Sequence, residues 1–525
     1  MLVLLNNTLF DNSFIKSNYI TTNNNTQPDI NNIVLKVQSV TDHAYQTVVI
    51  DDIAVVCIGE IYNSAELYEI LDIEPSLDSK YEILIHVYKR YGLDYLLQVV
   101  DGTFTFFLFD YRISNKTSKL YVVRDLFGVY PLYMLNFNKD FYTFAKNIKM
   151  LQIYEGICEQ SDHIPIRMLT PATYSIFELS NLIMPKWSLI EENKQYYHRG
   201  GGGGLRRIAS NQDYNPIVIY QNIQTRLVQT IEKLIINKPI CILNGQLGNY
   251  IIAGVLSDIC LKNDQPKLRT YSVGFIDSDM LKETRNFANY IGSEHTEYII
   301  SQHEVCDELH DIIYNIETFD VATIDASIEL YLLLKNLARD NICGTVFDGF
   351  GFNELVGEKF GGTDDFLQFD QKCLETLENM YRRELLGVSK SFLHFGLTPC
   401  LPYLDRSFVE YYMSIPPEFR FYHDAQHGIS AYLIRNAFSS DINSIYDPTK
   451  EIIPKDFLWR KTQVFEQTTK IHEITDVYAA TTIPDTFDSS AFAYHLKPET
   501  TKDILYRRMF EYDFENYGKI VCPTP

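Results

Sequence analysis

The sequence predicts an α+β domain followed by an α/β domain that has a parallel sheet and a helical C-terminal layer. Three observations support this order: the first half is rich in strand-forming residues, a glycine run occupies Gly200 to Gly204, and strands, loops and helices alternate beyond it. Because a glycine run loses much conformational entropy on ordering, we interpret it as a linker. The predicted domains are therefore residues 1–199 and 213–525, joined by a glycine-rich linker at 200–212.

Composition excludes several classes of protein. The 525 residues include 46 basic and 68 acidic side chains, a formal net charge of −22, and 46% of the residues are hydrophobic, as in ordinary globular proteins. The acidic surplus argues against a nucleic-acid or membrane partner, because both need a basic face. The 9 cysteines are scattered without a CxxC pair, which is typical of reduced cytosolic thiols. We therefore expect a cytoplasmic protein without a disulfide framework or a zinc site.

The first half begins with an apolar segment, Met1 to Leu5, which is too short for a secretory signal and is predicted to be a strand. Between Ser64 and Tyr91 the apolar residues fall at helical spacing. Two polar stretches, Thr21 to Thr26 and Asp29 to Asn32, predict an exposed loop. Further strands are predicted at Thr47 to Ile53, Ala54 to Ile58, Thr103 to Phe109, Lys119 to Val123 and Pro131 to Leu135. The first domain is therefore predicted to lay helices on sheets.

The second half alternates strands and helices. Pro239 to Leu243 predicts a strand, Asn244 to Asn249 a turn-rich loop, and Tyr250 to Leu261 a helix. The next pair is a strand at Leu268 to Phe275 and a helix at Leu281 to Tyr290. Such alternation is typical of a parallel sheet, whose ligands bind at the carboxyl ends of the strands. From Glu375 onward the apolar spacing is mostly helical, which predicts the C-terminal layer.

Three motifs of the first half carry a resemblance. They are Gly59 to Asn63 (GEIYN), Asp101 to Asp110 (DGTFTFFLFD) and Arg124 to Tyr133 (RDLFGVYPLY), and they resemble a class II glutamine amidotransferase domain. The resemblance implies an Ntn-type amidotransferase fold, a β-sandwich with helices.

Four further motifs are similar, in the same order, to the synthetase half of glutamine-dependent asparagine synthetase. They are Tyr271 to Phe275, Ile316 to Ser327, Leu401 to Glu418 and Leu505 to Phe510. The resemblance implies a doubly wound parallel-sheet ATP-pyrophosphatase domain. It also implies a reaction in which ATP, aspartate and glutamine give asparagine, AMP and pyrophosphate.

The glutaminase site implied by the resemblance lacks its chemistry. The family nucleophile is a cysteine exposed by loss of the initiator Met, whereas position 2 here is Leu2, which offers no thiolate. The oxyanion-binding asparagine of the family is replaced by Ile58, which has no side-chain donor. Lys80 stands where a family aspartate holds the substrate's amino group, and the Arg-containing clamp has no counterpart in Thr21 to Asn32. An upstream start that carries a cysteine would reopen the question.

Other residues of this site remain. Gly59 and Glu60 are predicted to be a remnant of the glutamine pocket; the alternative is that, with Asn63, they only shape a turn of the fold. Cys57 is one residue from Ile58, yet we interpret it as a buried structural residue and not as a relocated nucleophile.

The synthetase site implied by the resemblance is also altered. The family's pyrophosphate loop becomes Asn244 to Asn249 (NGQLGN), in which Gly245 is retained and Gly248 replaces the aspartate that serves Mg²⁺. In the second loop, which begins at Asp348 where the family has serine, Phe350 replaces a glutamate that is central to the chemistry. Gly349, Gly351 and Glu354 remain there.

Two more positions of that site differ. Asp325 replaces an arginine that would pair with a substrate carboxylate, which reverses the charge. Thr462 replaces the lysine that contacts the polyphosphate, and the neighbouring Lys461 is a candidate to compensate.

The sequence therefore predicts a catalytically impaired homologue of asparagine synthetase, a pseudoenzyme with no catalytic residue and no metal held by protein ligands. ATP binding, with Mg²⁺ brought by the nucleotide, is the function expected to survive, because the resemblance implies that backbone groups hold the adenine. The implied ATP-binding residues are Leu243, Gly245, Val273, Asp348 and Gly349. Glutamine and aspartate are the other small-molecule ligands that the resemblance implies.

Two alternatives stay open. The chain is either a divergent but active ligase, in which Lys461, Glu354 and Asp320 cover for the missing groups, or a regulatory subunit that pairs with an active paralogue. A homodimer is equally compatible with the sequence. The 14% aromatic content suits an interface, although aromatic residues also fill large cores.

Overall fold

The chain forms two compact units, Met1–His198 with Phe514–Ile520, and Arg199–Asp513 with Val521–Pro525. The computed structural model describes residues 2–6, 18–19, 36–38, 47–75, 79–112, 117–137, 141–152, 166–180, 187–197, 215–236, 238–357, 365–421, 430–439, 451–460, 470–483, 498–515 and 517. The predicted linker and the predicted loops at Thr21 to Thr26 and Asp29 to Asn32 lie outside these residues. Within them, no helix is long and apolar enough to cross a membrane.

The first unit contains two antiparallel sheets of six strands, in the orders β10-β8-β9-β1-β3-β2 and β12-β11-β7-β6-β5-β4. Their strands are β1 (Leu2–Asn6), β2 (Asn18–Tyr19), β3 (Lys36–Gln38), β4 (Thr47–Ile50), β5 (Ile53–Ile61), β6 (Gly102–Asp110), β7 (Thr117–Arg124), β8 (Tyr133–Phe137), β9 (Phe141–Ala145), β10 (Ile166–Met168), β11 (Thr173–Ser180) and β12 (Trp187–Gln195). The predicted first strand is confirmed.

The two sheets pack face to face, and helices α1 (Ser64–Leu71), α2 (Glu82–Tyr91) and α3 (Leu93–Val99) cover the outer face of the second sheet. Strand β6 contributes to both layers, because successive side chains of a strand point to opposite faces. Phe106 packs with the helices, whereas Phe107 meets Phe144 of the other sheet at 5.4 Å between ring centroids. Burial on both faces explains why β6 is apolar without alternation.

One boundary predicted in this unit is wrong. The segment Thr47 to Ile53 is not a single strand, because Asp51 and Asp52 have φ of 44° and 61° and form a tight turn between β4 and β5. A two-residue turn in which both residues have positive φ has a backbone twist that matches the right-handed twist of the flanking strands. Aspartate tolerates this conformation better than most residues, since its short side chain can bond locally.

The second unit is built on a parallel sheet of five strands in the order β15-β14-β13-β16-β17. The strands are β13 (Ile240–Ile242), β14 (Arg269–Phe275), β15 (Glu294–Ile300), β16 (Thr345–Phe347) and β17 (Thr398–Cys400). The helices are α4 (Pro216–Leu234), α5 (Leu247–Lys262), α6 (Asp279–Ile291), α7 (Gln302–Ile316), α8 (Val321–Arg339), α9 (Phe352–Val356), α10 (Phe366–Asn379), α11 (Glu384–His394), α12 (Arg406–Ser414), α13 (Pro417–Arg420), α14 (Tyr432–Ala437), α15 (Lys455–Leu458), α16 (Ile471–Thr482) and α17 (Thr501–Asp513).

The predicted fold class is confirmed: an amidotransferase-like α+β unit precedes a parallel α/β sheet with a helical C-terminal region. Two details differ from the prediction. Helix α5 begins at Leu247, so the last residues of the predicted loop form the first helical turn. Strand β17 lies within the predicted helical layer, where Thr398–Cys400 is too short to show strand periodicity.

The order of the strands reverses in the middle of this sheet. From β13 the chain adds β14 and β15 on one side and then β16 and β17 on the other. The point between β13 and β16 is therefore a topological switch point, where open α/β sheets bind their ligands. Helix α5 follows β13 directly and is buried on almost all sides, so the switch point lies against the core.

A buried ion pair joins two helices of this unit. Glu317, which ends α7 in the left-handed conformation, accepts a hydrogen bond from Lys390 on α11, and both side chains are almost fully buried. Taking two charges out of water is costly unless each compensates the other. The pair therefore makes the packing of α7 against α11 sensitive to the loss of either partner.

We expect Lys390→Met to lower the free energy of unfolding by about 3–5 kcal/mol, because it removes the cation that pairs with the buried Glu317 carboxylate. The additional change Glu317→Gln should recover part of this loss. The control Lys282→Met breaks the exposed pair with Asp279 and should change stability by less than about 0.5 kcal/mol. Urea unfolding followed by circular dichroism measures all three variants; equal losses in Lys390→Met and Lys282→Met would contradict the expectation.

Candidate functional site

The end of β5 contains Gly59 and Glu60, the predicted remnant of the glutamine pocket. Gly59 has φ of +112°, and a Cβ there would lie 2.0 Å from the Thr103 carbonyl oxygen and 2.8 Å from the Tyr130 ring. Its own carbonyl accepts a hydrogen bond of 2.8 Å from the Tyr81 hydroxyl. The backbone conformation and the close strand neighbour both require glycine at this position.

Glu60 and Lys80 form an ion pair. The Lys80 Nζ lies 2.5 Å from Glu60 Oε2, and the same ammonium is 5.2 Å from the centre of the Tyr81 ring. Both side chains are partly exposed, so the pair contributes little to stability. Its importance is chemical, because the retained glutamate is engaged by the lysine that replaces the implied substrate-binding aspartate.

Asn63 has a structural role. Its Nδ2 donates to the Val99 carbonyl at 2.8 Å, and its Oδ1 accepts from the Asp101 amide at 2.9 Å. These two bonds join the segment after β5 to the end of α3 and to the residue before β6. The alternative interpretation, that the GEIYN motif shapes the fold, is thus supported for Asn63.

Cys57 lies in the core between β5 and the helices. Its side chain is 2% exposed, and its Sγ donates a weak hydrogen bond of 3.7 Å to the Ile58 carbonyl. Burial raises the pKa of this thiol well above its ordinary value. The thiol therefore stays protonated at neutral pH and does not replace the missing nucleophile.

The RDLFGVYPLY motif holds its own loop by buried polar contacts. Arg124 donates to the carbonyls of Gly128 and Tyr130 at 2.8 and 3.0 Å. The Asp125 carboxylate accepts from the Gly128 amide at 2.6 Å, although burial raises its pKa. This loop fixes Tyr130 against Gly59, a contact that the sequence motif did not reveal.

The predicted ATP-binding residues of the second unit lie at the carboxyl ends of the parallel strands. Leu243 directly follows β13, its amide donates to Tyr271 at 2.8 Å, and its carbonyl accepts from the Ser272 hydroxyl at 2.6 Å. β13 pairs with β14 only as far as Ile242 opposite Tyr271, so Val273 extends two residues beyond the last pair. Asp348 begins the loop after β16, on the other side of the switch point.

The loop between β13 and α5 is tightly folded. The Asn244 Oδ1 accepts from the Gln246 amide at 3.1 Å, and Gln246 is the residue that precedes the helix. Gly245 has φ of +82°, and a Cβ there would lie 2.9 Å from Met280. The conformation again requires glycine, and the loop connects the end of a strand to the N-terminus of a helix, the position at which phosphate-binding loops occur.

Gly248 faces aromatic side chains that leave no room for the family's aspartate. A Cβ at this position would lie 2.8 Å from the Phe352 Cβ and 3.2 Å from the Tyr403 ring. The Tyr403 hydroxyl donates to the Gly248 carbonyl at 3.1 Å, and the Phe352 and Tyr403 rings meet edge to face at 5.1 Å. The place of the implied magnesium ligand is thus filled by apolar packing.

Asp348 and Gly349 contact the first turn of α5. A Cβ on Gly349 would lie 2.2 Å from the Asn249 Oδ1, so only glycine fits. The Asn249 Nδ2 donates to the Ile242 carbonyl at 2.8 Å, whereas its buried Oδ1 has no donor among the described residues. Burial raises the pKa of Asp348 to about 6, partly opposed by hydrogen bonds from the Phe350 amide and the Asn249 side chain.

Asp325 is neutralised within the fold. Its carboxylate lies 3.0 Å from Lys502 Nζ and 3.0 Å from His472 Nδ1, and it accepts from the Tyr506 hydroxyl at 2.5 Å. Lys502, which is 3% exposed, also lies 2.8 Å from Asp476. The charge-reversed position therefore ties α8 to α16 and α17.

The candidates for compensation are placed as follows. Asp320 is the N-cap of α8 and accepts from the Thr323 amide and hydroxyl at 2.9 and 2.6 Å. Glu354 is buried on α9. Lys461 and Thr462 lie outside the described residues; the preceding Arg460 pairs with Glu283. Across the part of the chain that the structure describes, no group of three or more His, Cys, Asp or Glu side chains could hold a metal ion.

Comparison with known proteins gives two family matches. The glutamine amidotransferase domain family matches residues 30–192, and the asparagine synthase family matches residues 252–368 and 365–511. An asparagine synthetase [glutamine-hydrolyzing] of Mesocricetus auratus is 25% identical over 492 residues, covering 87% of this chain and 80% of the relative. That of Homo sapiens is 25% identical over 478 residues, covering 86% and 80%.

One solved structure shows a weak likeness. The glutamine phosphoribosylpyrophosphate amidotransferase from B. subtilis, complexed with ADP and GMP, is 13% identical with a TM-score of 0.22. The match covers 49% of this chain and 64% of that chain.

We expect Cys57 to resist alkylation in the folded protein, because its thiol is buried and protonated. Brief treatment with iodoacetamide at neutral pH, followed by peptide mass spectrometry, measures the modified fraction of each cysteine. The exposed Cys343 serves as the control and should be modified readily. Modification of Cys57 as fast as Cys343 would show an accessible thiolate and contradict the structural interpretation.

We expect Gly248→Ala to destabilise the second unit by about 1–3 kcal/mol, because the added methyl group overlaps Phe352. Phe352→Gly removes the Phe352 Cβ at 2.8 Å as well as the ring, so the double variant should lose less stability than the sum of the two single losses. Urea unfolding of the four proteins gives the coupling free energy. Additive losses would mean that Phe352 does not exclude a side chain at position 248.

Proposed function

Because the chain belongs to the glutamine-dependent asparagine synthetase family, we propose that it is a catalytically impaired member whose second unit still binds an adenine nucleotide. The family uses ATP and takes glutamine and aspartate as small-molecule substrates. The proposal concerns which parts of that chemistry this chain retains.

The filled space at Gly248 is the observation that carries the proposal. In the family an aspartate at this position serves Mg²⁺, and here the rings of Phe352 and Tyr403 pack where its side chain would be. The residues present therefore do not fit a protein-ligated magnesium ion. Phe350, in place of the glutamate, supplies neither a proton nor a metal ligand.

The aspartate pocket supports the same proposal. Where the family has an arginine for the substrate carboxylate, Asp325 would repel that carboxylate, and its own charge is already paired with Lys502. Rebuilding the pocket would require breaking a network of hydrogen bonds to α16 and α17.

The first unit supports the loss of glutamine hydrolysis. Leu2 lies in β1 opposite Ala145 and has no nucleophilic group, and the buried Cys57 does not replace it. The Lys80 ammonium beside Glu60 would repel the amino group of glutamine. We propose that Gly59 and Glu60 are a pocket remnant of the fold without hydrolytic activity.

Losses of this kind multiply along one reaction path. Removing a single group that stabilises a transition state typically costs about 3 kcal/mol, or roughly 10²-fold in rate. Several such losses in each site leave little activity.

Nucleotide binding survives these substitutions in our proposal. Leu243, Gly245, Val273, Asp348 and Gly349 lie along the carboxyl edge of the sheet at β13, β14 and β16, around the switch point. Backbone donors and acceptors at such an edge do not depend on side-chain identity. Gly245 keeps the positive φ of the loop before α5, and Gly349 keeps the close approach of the second loop to Asn249.

The alternative is a divergent active ligase, which the buried Glu354 favours because it retains a family carboxylate on the second loop. We further propose a cytoplasmic location and domain boundaries at 1–199, 200–212 and 213–525. Either a homodimer or pairing with an active paralogue suits an impaired enzyme.

We expect no release of AMP or pyrophosphate above the no-enzyme control when the purified protein is given Mg-ATP, aspartate and excess ammonia. Ammonia bypasses the glutaminase site, so the assay tests the second unit alone. An active glutamine-hydrolysing relative, assayed in parallel, shows that the conditions support the reaction. Release that depends on aspartate would overturn the proposal in favour of the divergent ligase.

A further inference from the structure

We propose that the nucleotide site takes an uncharged nucleoside in preference to the corresponding triphosphate, because the Asp348 carboxylate places a negative charge beside the loop that would hold the phosphates. The inference rests on the proposed nucleotide binding and specifies the class of ligand. Its basis is the position of Asp348, the groups around it, and the state of the loop donors.

Asp348 lies where the phosphates of a bound nucleotide would approach. It follows β16 at the carboxyl edge of the sheet, and it is 6% exposed. The next residue, Gly349, touches the first turn of α5 so closely that a Cβ would lie 2.8 Å from the Asn249 amide nitrogen. The carboxylate is therefore adjacent to the helix N-terminus that phosphate-binding loops use.

Within the described part of the chain, no cation pairs with the Asp348 carboxylate. Among the described residues, its hydrogen-bond donors are the Phe350 amide and the Asn249 side chain, both neutral. On the neighbouring strand β13, burial together with the Asp348 charge raises the pKa of the Cys241 thiol, so that group stays neutral as well. Burial also raises the pKa of the Tyr403 hydroxyl, which follows β17, so this group is neutral too.

A buried carboxylate with only neutral partners repels a second anion strongly, because the low dielectric constant of the interior screens little. On β17 the contact is also neutral, since the Asp348 amide donates to the Cys400 carbonyl at 3.0 Å. A triphosphate brought to this edge would therefore meet an uncompensated negative charge. A nucleoside would not.

The loop has also lost part of its capacity to bind phosphate. The Gln246 amide, which precedes α5, donates to the Asn244 side chain and is not free for a ligand. The Phe350 amide donates to Asp348. Phe352 and Tyr403 pack against Gly248, so the first turn of the helix faces rings where phosphate oxygens would otherwise approach.

The backbone groups that would bind the base and the ribose are less affected by these changes than those that would bind the phosphates. Val273 lies beyond the last residue pair of β13 and β14, so its backbone has no residue of β13 paired with it. The Leu243 carbonyl accepts one hydrogen bond from Ser272, and a carbonyl oxygen has a second lone pair. Base and ribose recognition by backbone groups thus remains compatible with the structure.

Protonation of Asp348 would remove the repulsion. Burial raises the pKa of this carboxyl to about 6, so it is ionised at neutral pH and becomes neutral as the pH falls through that value. The protonated acid could donate to the Asn249 Oδ1, which has no donor in the described part of the chain. Triphosphate binding should therefore strengthen below pH of about 6, while nucleoside binding should not.

Isothermal titration calorimetry of the full chain with adenosine, AMP, ATP and Mg-ATP tests the proposal. At neutral pH we expect adenosine to bind at least about tenfold more tightly than ATP. Asp348→Ser introduces the residue that the family has here, and its hydroxyl can still accept from the Phe350 amide. In this variant the ratio of ATP affinity to adenosine affinity should rise about tenfold over that of the parent.

Two further variants make the test specific. Asp348→Asn keeps the shape of the side chain without its charge and should reproduce the effect if the serine variant folds poorly. Asp258→Asn is the control: it removes a buried carboxylate from α5, about 16 Å along that helix from its first residue, and should leave the ligand preference unchanged. ATP affinity is measured from neutral pH to about pH 5. Its pH dependence should be weaker in both Asp348 variants than in the parent protein. The dependence that remains in the variants reports protonation of the phosphates themselves.

The outcomes separate the two proposals. Tighter binding of ATP than of adenosine by the parent protein, or an unchanged preference in both Asp348 variants, would overturn the inference while leaving nucleotide binding intact. Absence of binding for all four ligands in every variant would overturn the proposed nucleotide binding, and the inference with it. The expected order of affinities, reversed or levelled by loss of the Asp348 charge, supports both.

Discussion

The close contact between the loop after β16 and the first turn of α5 controls what the second unit can hold. Gly349 touches Asn249, and Gly248 touches Phe352 and Tyr403, so two glycines let two backbone segments and two rings pack into the switch point. Dense packing of this kind leaves little space for a side chain at position 248. The strand order still directs ligands to this edge, while the side chains decide which ligands fit.

Three of the altered positions share a physical feature: other residues of the chain occupy the place or balance the charge at each of them. Lys80 pairs with Glu60, Asp325 pairs with Lys502, and the space left at Gly248 is filled by Phe352. A buried or partly buried charge that had lost its substrate would otherwise cost stability, and an empty space would cost packing energy. The fold is thus stable by itself at positions that the resemblance assigns to substrates.

The fold was largely predictable from the sequence because strand-rich segments, helical spacing and the motif order agree over long stretches. Local exceptions came from short-range geometry: Asp51 and Asp52 turn the chain inside an apparent strand, and β17 has too few residues for a period. The substitutions themselves were visible, including Phe350 and Asp325. Their partners could not be predicted, because Lys502 and His472 lie far along the chain from Asp325. Nothing in the sequence indicates that Phe352 packs against Gly248.

The network around Asp325 limits which substitutions this position can accept. Replacement of Asp325 by arginine would set a guanidinium group against the buried Lys502 ammonium, while Asp476 would be left to balance two cations. An arginine is therefore incompatible with the present neighbours of position 325 unless Lys502 changes at the same time. Position 325 and position 502 are thus epistatic: the effect of a substitution at one depends on the residue at the other, and a single-step exchange is less accessible to selection than a double one.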